Sequence, residues 1–439
     1  MTDVMRRRQL NGSVAALGAL LAAACGATAD PSGTTPGAAG RSAESFTLRV
    51  NYRSEDYIPV FLARYSEQNP NVKIEPIANS GYEKLQALIA ANDVGDMIWG
   101  STSQGSYFQL AWHDHLRPLD PLAKRDKYDL QDMIPKAMET LRQAKDNQLY
   151  GIVNEMHTAG VGLFYNTNLF EAAKVAPPNP NWTIDDLTET ARKLTLDTDR
   201  DGTNNQWGFL GQNSYPWLCC ILRSFGGEWL DPAILGKTAA FDRPKAMVAW
   251  RWLYDLRHRH RVHPVEGRDK ASFLDGNVAM FQSHQSGVAM ASQVRDRFTM
   301  GLTLMPKGPG GKRGSQAHLG VWSAHSRSKH PDDTWSLIKW MTSKENLIAG
   351  PGAYFLPGAR ISAWNDPQYR AAEPHFEVFR KFGIEEGTEL PAIPNNFKVL
   401  ELDPFPAKAM QPMWEGSQNP EQMVAAVKGE FQALIDQPR

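Results

Sequence analysis

The part of the chain after residue 45 alternates between two hydrophobic periods. Phe46–Tyr52 places apolar and polar residues in turn, which is typical of a strand with one buried face. Ile58, Phe61, Leu62 and Tyr65 then recur at helical spacing. The pattern therefore predicts a β-strand followed by an amphipathic helix.

The same pair of elements is then repeated. Residues 72–74 predict a second strand, and residues 96–99 predict a third. Between them, one helix is predicted from an apolar stripe formed by Tyr82, Leu85, Leu88 and Ile89. Repeated strand–helix units are typical of parallel sheets with helices on their faces, so the predicted fold class is α/β.

Three later helices carry recognisable start signals. Thr183 and Asp186 have the spacing of a capping box. Pro331 is expected in the first turn of another helix, and Asn419 precedes the last one. The predicted inward faces are Ile184, Leu187, Ala191 and Leu194 in the first helix, Trp335, Ile338 and Met341 in the second, and Val424, Val427, Phe431 and Leu434 in the third.

The first residues have the pattern that predicts an export signal. The apolar run 14–24 comes after three arginines, 6–8, and is shorter than the roughly 20 residues that a membrane span needs. Residues 21–26 (LAAACG) resemble a bacterial lipobox, in which Cys25 would receive the lipid and become the mature N-terminus. Residues 1–25 are therefore predicted to be a lipoprotein signal peptide, exported by the Sec or the twin-arginine route. An ordinary signal peptide with a disordered tail is the alternative.

Beyond the signal, composition separates a tether from a globular body. Residues 26–45 are rich in Gly, Ala, Ser, Thr and Pro, which predicts a flexible tether. With 47 basic and 48 acidic residues, the chain has no broad field that would attract nucleic acid. Cys219 and Cys220 are adjacent, so two buried thiols are expected rather than a disulfide.

An ordered series of short motifs resembles the family 1 extracellular solute-binding proteins of ABC importers. The resemblance covers Phe46 to Gln437, and two positions depart from the family pattern: Val153 replaces the usual proline, and Gly358 lies inside the usual LPAR. The motifs are LYGIVNEMHT (149–158), GLFYNTNLFEAA (162–173), PPNPNWTIDDL (177–187), WGF (207–209), FGGEW (225–229), FLDGNVAM (273–280), LMPKGPGG (304–311), GVWSAHS (320–326) and FLPGAR (355–360).

This resemblance implies a two-lobed, type II periplasmic-binding-protein-like fold. The N-terminal α/β lobe would comprise residues 46–155 with 318–360, and the C-terminal lobe residues 156–317 with 361–439. A hinge would close both lobes on a ligand, and a membrane permease would recognise the closed form. The protein would act as a monomer without a required cofactor, and a separate ATPase would supply the energy, since the chain has no Walker motif.

A sugar-binding cleft needs aromatic rings for the C–H faces of the sugar and polar groups for its hydroxyls. Trp322 is the foremost candidate, because the family places a stacking aromatic there. Trp217, Tyr82 and Trp99 are further candidates near predicted element ends, and a core position is the alternative for each. The polar and remaining candidates are Arg53, Glu55, Asn154, Glu155, His157, Ser283, His284, Tyr354 and Arg360. For Arg360, a surface ion pair is the alternative.

The stretch DTDRDGTNNQ (197–206) resembles the first half of a calcium loop. Asp197, Asp199, Asp201 and Thr203 would supply alternating oxygens, but Gly208 stands where the bidentate glutamate of an EF-hand is required. We therefore favour an Asx-stabilised hairpin, with a structural calcium ion as the alternative.

The sequence thus favours a lipid-anchored, non-catalytic receptor for a sugar or oligosaccharide. The same fold with a polyol or glycerophosphodiester ligand is one alternative. A secreted glycosidase is a less favoured one, because no local signature indicates its pair of carboxylates.

Overall fold

The computed structural model describes residues 45–53, 58–79, 82–159, 161–349, 357–372, 375–387 and 392–439. Thirteen strands in this part of the chain form two larger sheets and two small ones. The strands are β1 (Phe46–Arg53), β2 (Val72–Asn79), β3 (Met97–Ser101), β4 (Ile152–Ala159), β5 (Gly162–Asn166), β6 (Trp207–Leu210), β7 (Leu230–Asp231), β8 (Ile234–Gly236), β9 (Thr238–Ala239), β10 (Val278–Ser283), β11 (Met300–Leu304), β12 (Gln316–Ala324) and β13 (Ile393–Pro394).

Helices account for much of the rest. A 3₁₀ turn spans Gln285–Ala289, and a π-helical segment spans Lys381–Gly387. The α-helices of the described residues are Ile58–Gln68, Tyr82–Ala90, Ser106–Trp112, Asp120–Arg125, Pro135–Arg142, Thr167–Ala173, Ile184–Leu194, Tyr215–Ser224, Pro244–His258, Met290–Val294, Pro331–Met341, Lys344–Ile348, Ile361–Trp364, Pro367–Ala372, Phe376–Arg380, Val399–Leu402, Phe405–Ala409, Gln411–Glu415 and Pro420–Ile435.

The first sheet has the strand order β2-β1-β3-β12-β4. β1 is parallel to β2 and to β3, whereas β12 is antiparallel to both β3 and β4. The expectation of parallel sheets is therefore only partly met. The physical reason is the direction of entry: β12 reaches this sheet from β11 of the second sheet and runs opposite to the strands already present.

The second sheet has the order β11-β5-β10-β6. β5 is antiparallel to β10 and to β11, and β10 is parallel to β6. The chain passes from the first sheet to the second between β4 and β5, and returns between β11 and β12. These crossings lie near the expected lobe limits, while the lobe boundaries and the hinge motion themselves stay a prediction.

Local sequence signals account for the flanking helices. Ile58, Phe61, Leu62 and Tyr65 are the buried residues of the helix Ile58–Gln68, as the periodicity predicts. The helix Ile184–Leu194 begins with the predicted capping box, and Asn419 and Gln422 form a second one ahead of Pro420–Ile435. Such caps satisfy backbone N–H groups that a helix start otherwise leaves without partners.

The predicted buried thiols are confirmed. Cys219 and Cys220 both lie in the helix Tyr215–Ser224, free and buried. Their helix packs near β4 and β12, and Trp217 occupies its first turn. The helix therefore carries an aromatic side chain towards the crossing between the two sheets.

Candidate functional site

Six of the predicted ligand-binding residues form two sets of contacts, one within the first sheet and one that leads from it to the second. On the first sheet, the Arg53 guanidinium lies 5.1 Å from the Trp99 ring centroid. Glu155 Oε2 lies 3.7 Å from His157 Nε2. The His157 ring then meets His284, which comes after β10 of the second sheet, with centroids 5.9 Å apart and planes at 80°.

Trp217, in the first turn of the helix Tyr215–Ser224, extends these contacts beyond His284. Its indole stacks on the His284 imidazole, with centroids 5.2 Å apart and planes at 26°. Trp217 is 9% exposed, and the His157 side chain is 17% exposed. We call Arg53, Trp99, Glu155, His157, His284 and Trp217 the cleft cluster.

Strand register brings the residues of the first sheet to one face. β12 lies between β3 and β4, and Gly320 stands opposite Ser101 on one side and Glu155 on the other. A Cβ atom on Gly320 would lie 3.0 Å from Glu155 Oε2 and 3.1 Å from Trp99 Cζ2. The glycine therefore leaves the space that the carboxylate and the indole occupy.

Two residues of this face, His318 and Ser101, are not predicted from the sequence. His318 stands opposite His157 in register, with ring centroids 5.1 Å apart, and its Nε2 lies 3.1 Å from Ser101 Oγ. His318, Gly320 and Trp322 are alternate residues of β12, so they lie on the same face of the sheet. This two-residue period is the signal from which His318 could have been predicted as a site residue.

Burial keeps the deeper imidazoles neutral. Burial lowers the pKa of His284 to about 4, with a smaller contribution from the neighbouring His157. Burial likewise lowers the pKa of His318 to about 3, again assisted by His157 and opposed by Glu155. At neutral pH both rings therefore offer one donor and one acceptor without a charge.

The orientation of His284 results from its place before the 3₁₀ turn. The backbone N–H of Ser286 donates to His284 Nδ1 at 3.2 Å, and Ser286 Oγ lies 2.6 Å from the same atom. Because Nδ1 accepts the backbone N–H, the neutral ring carries its proton on Nε2. Hydrogen bonds from Ser286 therefore orient the His284 ring, and its face stacks on Trp217.

Trp322 does not have the exposure expected of the main stacking ring. It stands opposite Trp99 on the same face of the sheet, but its side chain is fully buried. Its indole Nε1 has no hydrogen-bond partner among the described residues. The Trp322 ring therefore packs within the hydrophobic core, where a ligand from solvent cannot stack on it.

Arg360 lies apart from the cleft cluster. Its guanidinium forms an ion pair with Asp132 at 3.0 Å, donates to the Thr342 carbonyl at 2.9 Å, and lies over the Tyr128 ring. An ion pair was the alternative for this residue, although the observed pair is largely buried rather than on the surface. These contacts fully account for Arg360 without a ligand.

The remaining candidates lie at strand ends or outside the described residues. Asn154 is buried at the irregularity between β4 and β12, and its Oδ1 has no hydrogen-bond partner among the described residues. Ser283 is buried at the end of β10, directly before His284. Glu55, Tyr354, Cys25 and the side chain of Tyr82 lie outside the described residues.

The acidic stretch 197–206 folds back on itself. Asp197 accepts hydrogen bonds from the backbone N–H groups of Asp201 (3.2 Å) and Gly202 (2.8 Å), and Asp201 accepts one from Thr203 (2.8 Å). The carboxylates of Asp197, Asp199 and Asp201 offer oxygen atoms within 4.8 Å of one another. The turn therefore exists, and calcium binding at it stays a prediction.

Within the described ranges, no helix is both long and apolar enough to cross a bilayer.

Known proteins share the sequence pattern and the fold. A family described as bacterial extracellular solute-binding protein matches residues 53–348, which is more than half of the chain. The sn-glycerol-3-phosphate-binding periplasmic protein UgpB of Escherichia coli (strain K12) is 22% identical over 257 residues. That match covers 55% of this chain and 56% of UgpB, so the chain spans about half the length of the curated relatives it matches.

Two solved structures illustrate the shared fold. The ABC substrate-binding protein Lmo0181 from Listeria monocytogenes, in complex with cycloalternan, is 17% identical with a TM-score of 0.72, over 89% of this chain and 99% of that protein. The GacH receptor of Streptomyces glaucescens, solved unliganded and with acarbose, is 19% identical with a TM-score of 0.70, over 90% and 100%. These similarities confirm the predicted α/β fold class, and the family match identifies the chain itself: it belongs to the bacterial extracellular solute-binding proteins.

Proposed function

We propose that the protein is the substrate-binding component of an ABC importer and captures a sugar or oligosaccharide at the cleft cluster. The observation that carries this proposal is the row of contacts from Glu155 through His157 and His284 to Trp217, with the Arg53–Trp99 contact beside it. These groups combine aromatic rings with neutral and charged hydrogen-bonding groups. Family membership implies an extracytoplasmic location. The structural relatives bound to cycloalternan and acarbose support a saccharide as the ligand class.

The chemistry of the cluster suits a polyhydroxylated, uncharged ligand. The Trp217 indole can pack on the C–H face of a pyranose, while Glu155 and the imidazoles can bond its hydroxyls. A hydrogen bond to a charged group contributes about 1.5–3 kcal/mol, and a neutral one about 1 kcal/mol. Micromolar affinity needs about 8 kcal/mol, so aromatic stacking and several such hydrogen bonds must together also offset the entropy of binding.

An anionic solute such as glycerol 3-phosphate is the second candidate. The similarity to UgpB favours it. Within the described part of the cleft cluster, however, Arg53 is balanced by the buried Glu155, and His284 and His318 are neutral at pH 7. A phosphate would meet a carboxylate there without a surplus of positive charge, so we favour the neutral ligand.

The protein would be a non-catalytic monomer that delivers its ligand to a membrane permease driven by a separate ATPase. Lipidation at Cys25 would attach it to the membrane, with residues 26–45 as the tether and export by the Sec or the twin-arginine route. Two acyl chains suffice for stable anchoring, because each buried methylene contributes about 0.8 kcal/mol.

A thermal-shift screen of the purified protein tests this function. The panel contains mono- and oligosaccharides, polyols and glycerol phosphates, and each ligand that raises the melting temperature is recovered and examined by mass spectrometry. We expect a saccharide to stabilise the protein and to be recovered intact. Stabilisation by glycerol 3-phosphate alone would replace the ligand class, and turnover of the saccharide would replace the non-catalytic role.

A further inference from the structure

Two imidazoles face each other where the two sheets meet. His157 extends from β4 of the first sheet and His284 comes directly after β10 of the second, with ring centroids 5.9 Å apart in an edge-to-face arrangement. His318 lies on the other side of His157, at 5.1 Å. Contact between the sheets at this point therefore brings together groups that repel each other once they are protonated.

The charged groups around His157 differ from those around His284. His157 has the Glu155 carboxylate at 3.7 Å on its own strand, and β1 contributes Arg53, whose charge acts on His318. His284 is packed between Trp217 and His157, and His157 is the neighbour whose charge lowers its pKa further. The side of the second sheet thus supplies no described carboxylate to compensate a proton on His284.

We propose that protonation of His284, in its contact with His157, separates the two sheets at the cleft, so that acidification opens the binding site. The inference rests on the proposed function in one respect: the pair belongs to the cleft cluster to which we assign ligand capture. It adds a dependence on pH to that function, because closure of the site would then be linked to the release of a proton.

Linkage sets the sign and the pH window. In the closed contact, burial lowers the pKa of His284 to about 4, whereas an imidazole in contact with water has a pKa near 6.5. The closed form is therefore favoured in full above about pH 6.5, and this advantage is lost as the pH falls towards 4. One proton shifts the equilibrium by up to about tenfold per pH unit, or about 300-fold across the window.

The test measures the distance between the lobes without a ligand. Spin labels are attached to cysteines introduced as Glu139→Cys in the helix Pro135–Arg142 and Glu189→Cys in the helix Ile184–Leu194, where both native side chains are exposed. The full chain carries Cys25→Ser, and the native Cys219 and Cys220 are buried. Pulsed electron spin resonance at pH 7.5, 6.5, 5.5 and 4.5 reports the distances, and circular dichroism reports folding at each pH.

The inference predicts that the shorter distance loses population between pH 6.5 and 4.5, and that His284→Gln and His157→Gln each reduce this response. His325→Gln is the matched control, because His325 is also buried with a lowered pKa but lies at the end of β12 away from the pair. A distance that does not change with pH would overturn the inference, as would an equal response in the His284→Gln protein. A pH response in a protein that binds no saccharide would sink the proposed function and leave this inference standing.

Discussion

The close approach of Glu155 and Trp99 to Gly320 predicts that a larger residue at position 320 will disturb the cleft cluster. In Gly320→Ala, the new Cβ would lie 3.0 Å from Glu155 Cβ and Oε2 and 3.1 Å from Trp99 Cζ2, closer than ordinary contact. Both neighbours must move, and such overpacking costs about 1–3 kcal/mol of folding free energy. We expect the melting temperature to fall by about 1–4 °C, because the unfolding entropy of so large a compact unit is high.

The same displacement acts on ligand binding. If the shift of Glu155 removes one hydrogen bond to a ligand hydroxyl, the loss is about 1.5–3 kcal/mol, which corresponds to a Kd about 10- to 150-fold higher. Differential scanning calorimetry measures the first effect. Isothermal titration calorimetry, with the saccharide found in the thermal-shift screen, measures the second.

Gly429→Ala supplies the matched control. Gly429 lies inside the helix Pro420–Ile435, and a Cβ there would meet nothing within 4 Å. Replacing glycine by alanine within a helix stabilises it by about 0.5–1 kcal/mol, so this variant should melt slightly higher and bind as the wild type does. A Gly320→Ala protein with an unchanged Kd would refute the placement of Glu155 in the ligand site.

Further predictions concern single side chains. Trp217→Leu should raise the Kd for the saccharide by about 2- to 10-fold, because the aromatic contact is lost; calorimetry measures this effect. The control Trp252→Leu changes a half-buried indole that is bonded to Thr188, and it should leave the Kd unchanged. Thr183→Ala should lower the free energy of unfolding by about 1 kcal/mol in urea titration and leave the Kd unchanged, because it removes a helix cap. We propose that the turn held by Asp197 needs no metal; a chelator should then leave the melting temperature unchanged, and a rise on adding calcium would favour the calcium alternative.

The periodicity of the sequence predicts the elements well where one face of an element decides its burial. Ile58, Phe61, Leu62 and Tyr65 are buried at the positions that a 3.6-residue period requires. The capping box of Thr183 and Asp186 is local, so three residues of context suffice to predict it. Strand direction is different, because the antiparallel entry of β12 depends on where the chain comes from in three dimensions.

The site is predictable in kind and only partly in detail. Residue type indicated Glu155, His157 and His284, and position near a predicted helix start indicated Trp217. The structure brings these four residues together. Exposure was the weaker inference: the Trp322 ring is fully buried because it packs into the hydrophobic core, a tertiary contact that its neighbours in sequence do not reveal.

Long-range pairing explains the remaining differences. His318 enters the site because β12 aligns it with His157, which lies far away in the sequence. Arg360 lies outside the site because it binds the Asp132 carboxylate and the Thr342 carbonyl in another part of the fold. Neither partner can be identified from a single sequence, since both depend on which strands and helices become neighbours.

Calorimetric titration of a stabilising saccharide into the wild type, Glu155→Gln and Glu189→Gln proteins tests the central claim most directly. The Glu155 side chain lies within the cleft cluster, whereas Glu189 is an exposed helix residue paired with Arg192. A saccharide bound at this cluster predicts a Kd at least about tenfold higher for Glu155→Gln and an unchanged Kd for Glu189→Gln. Equal affinity in all three proteins would show that the ligand binds elsewhere.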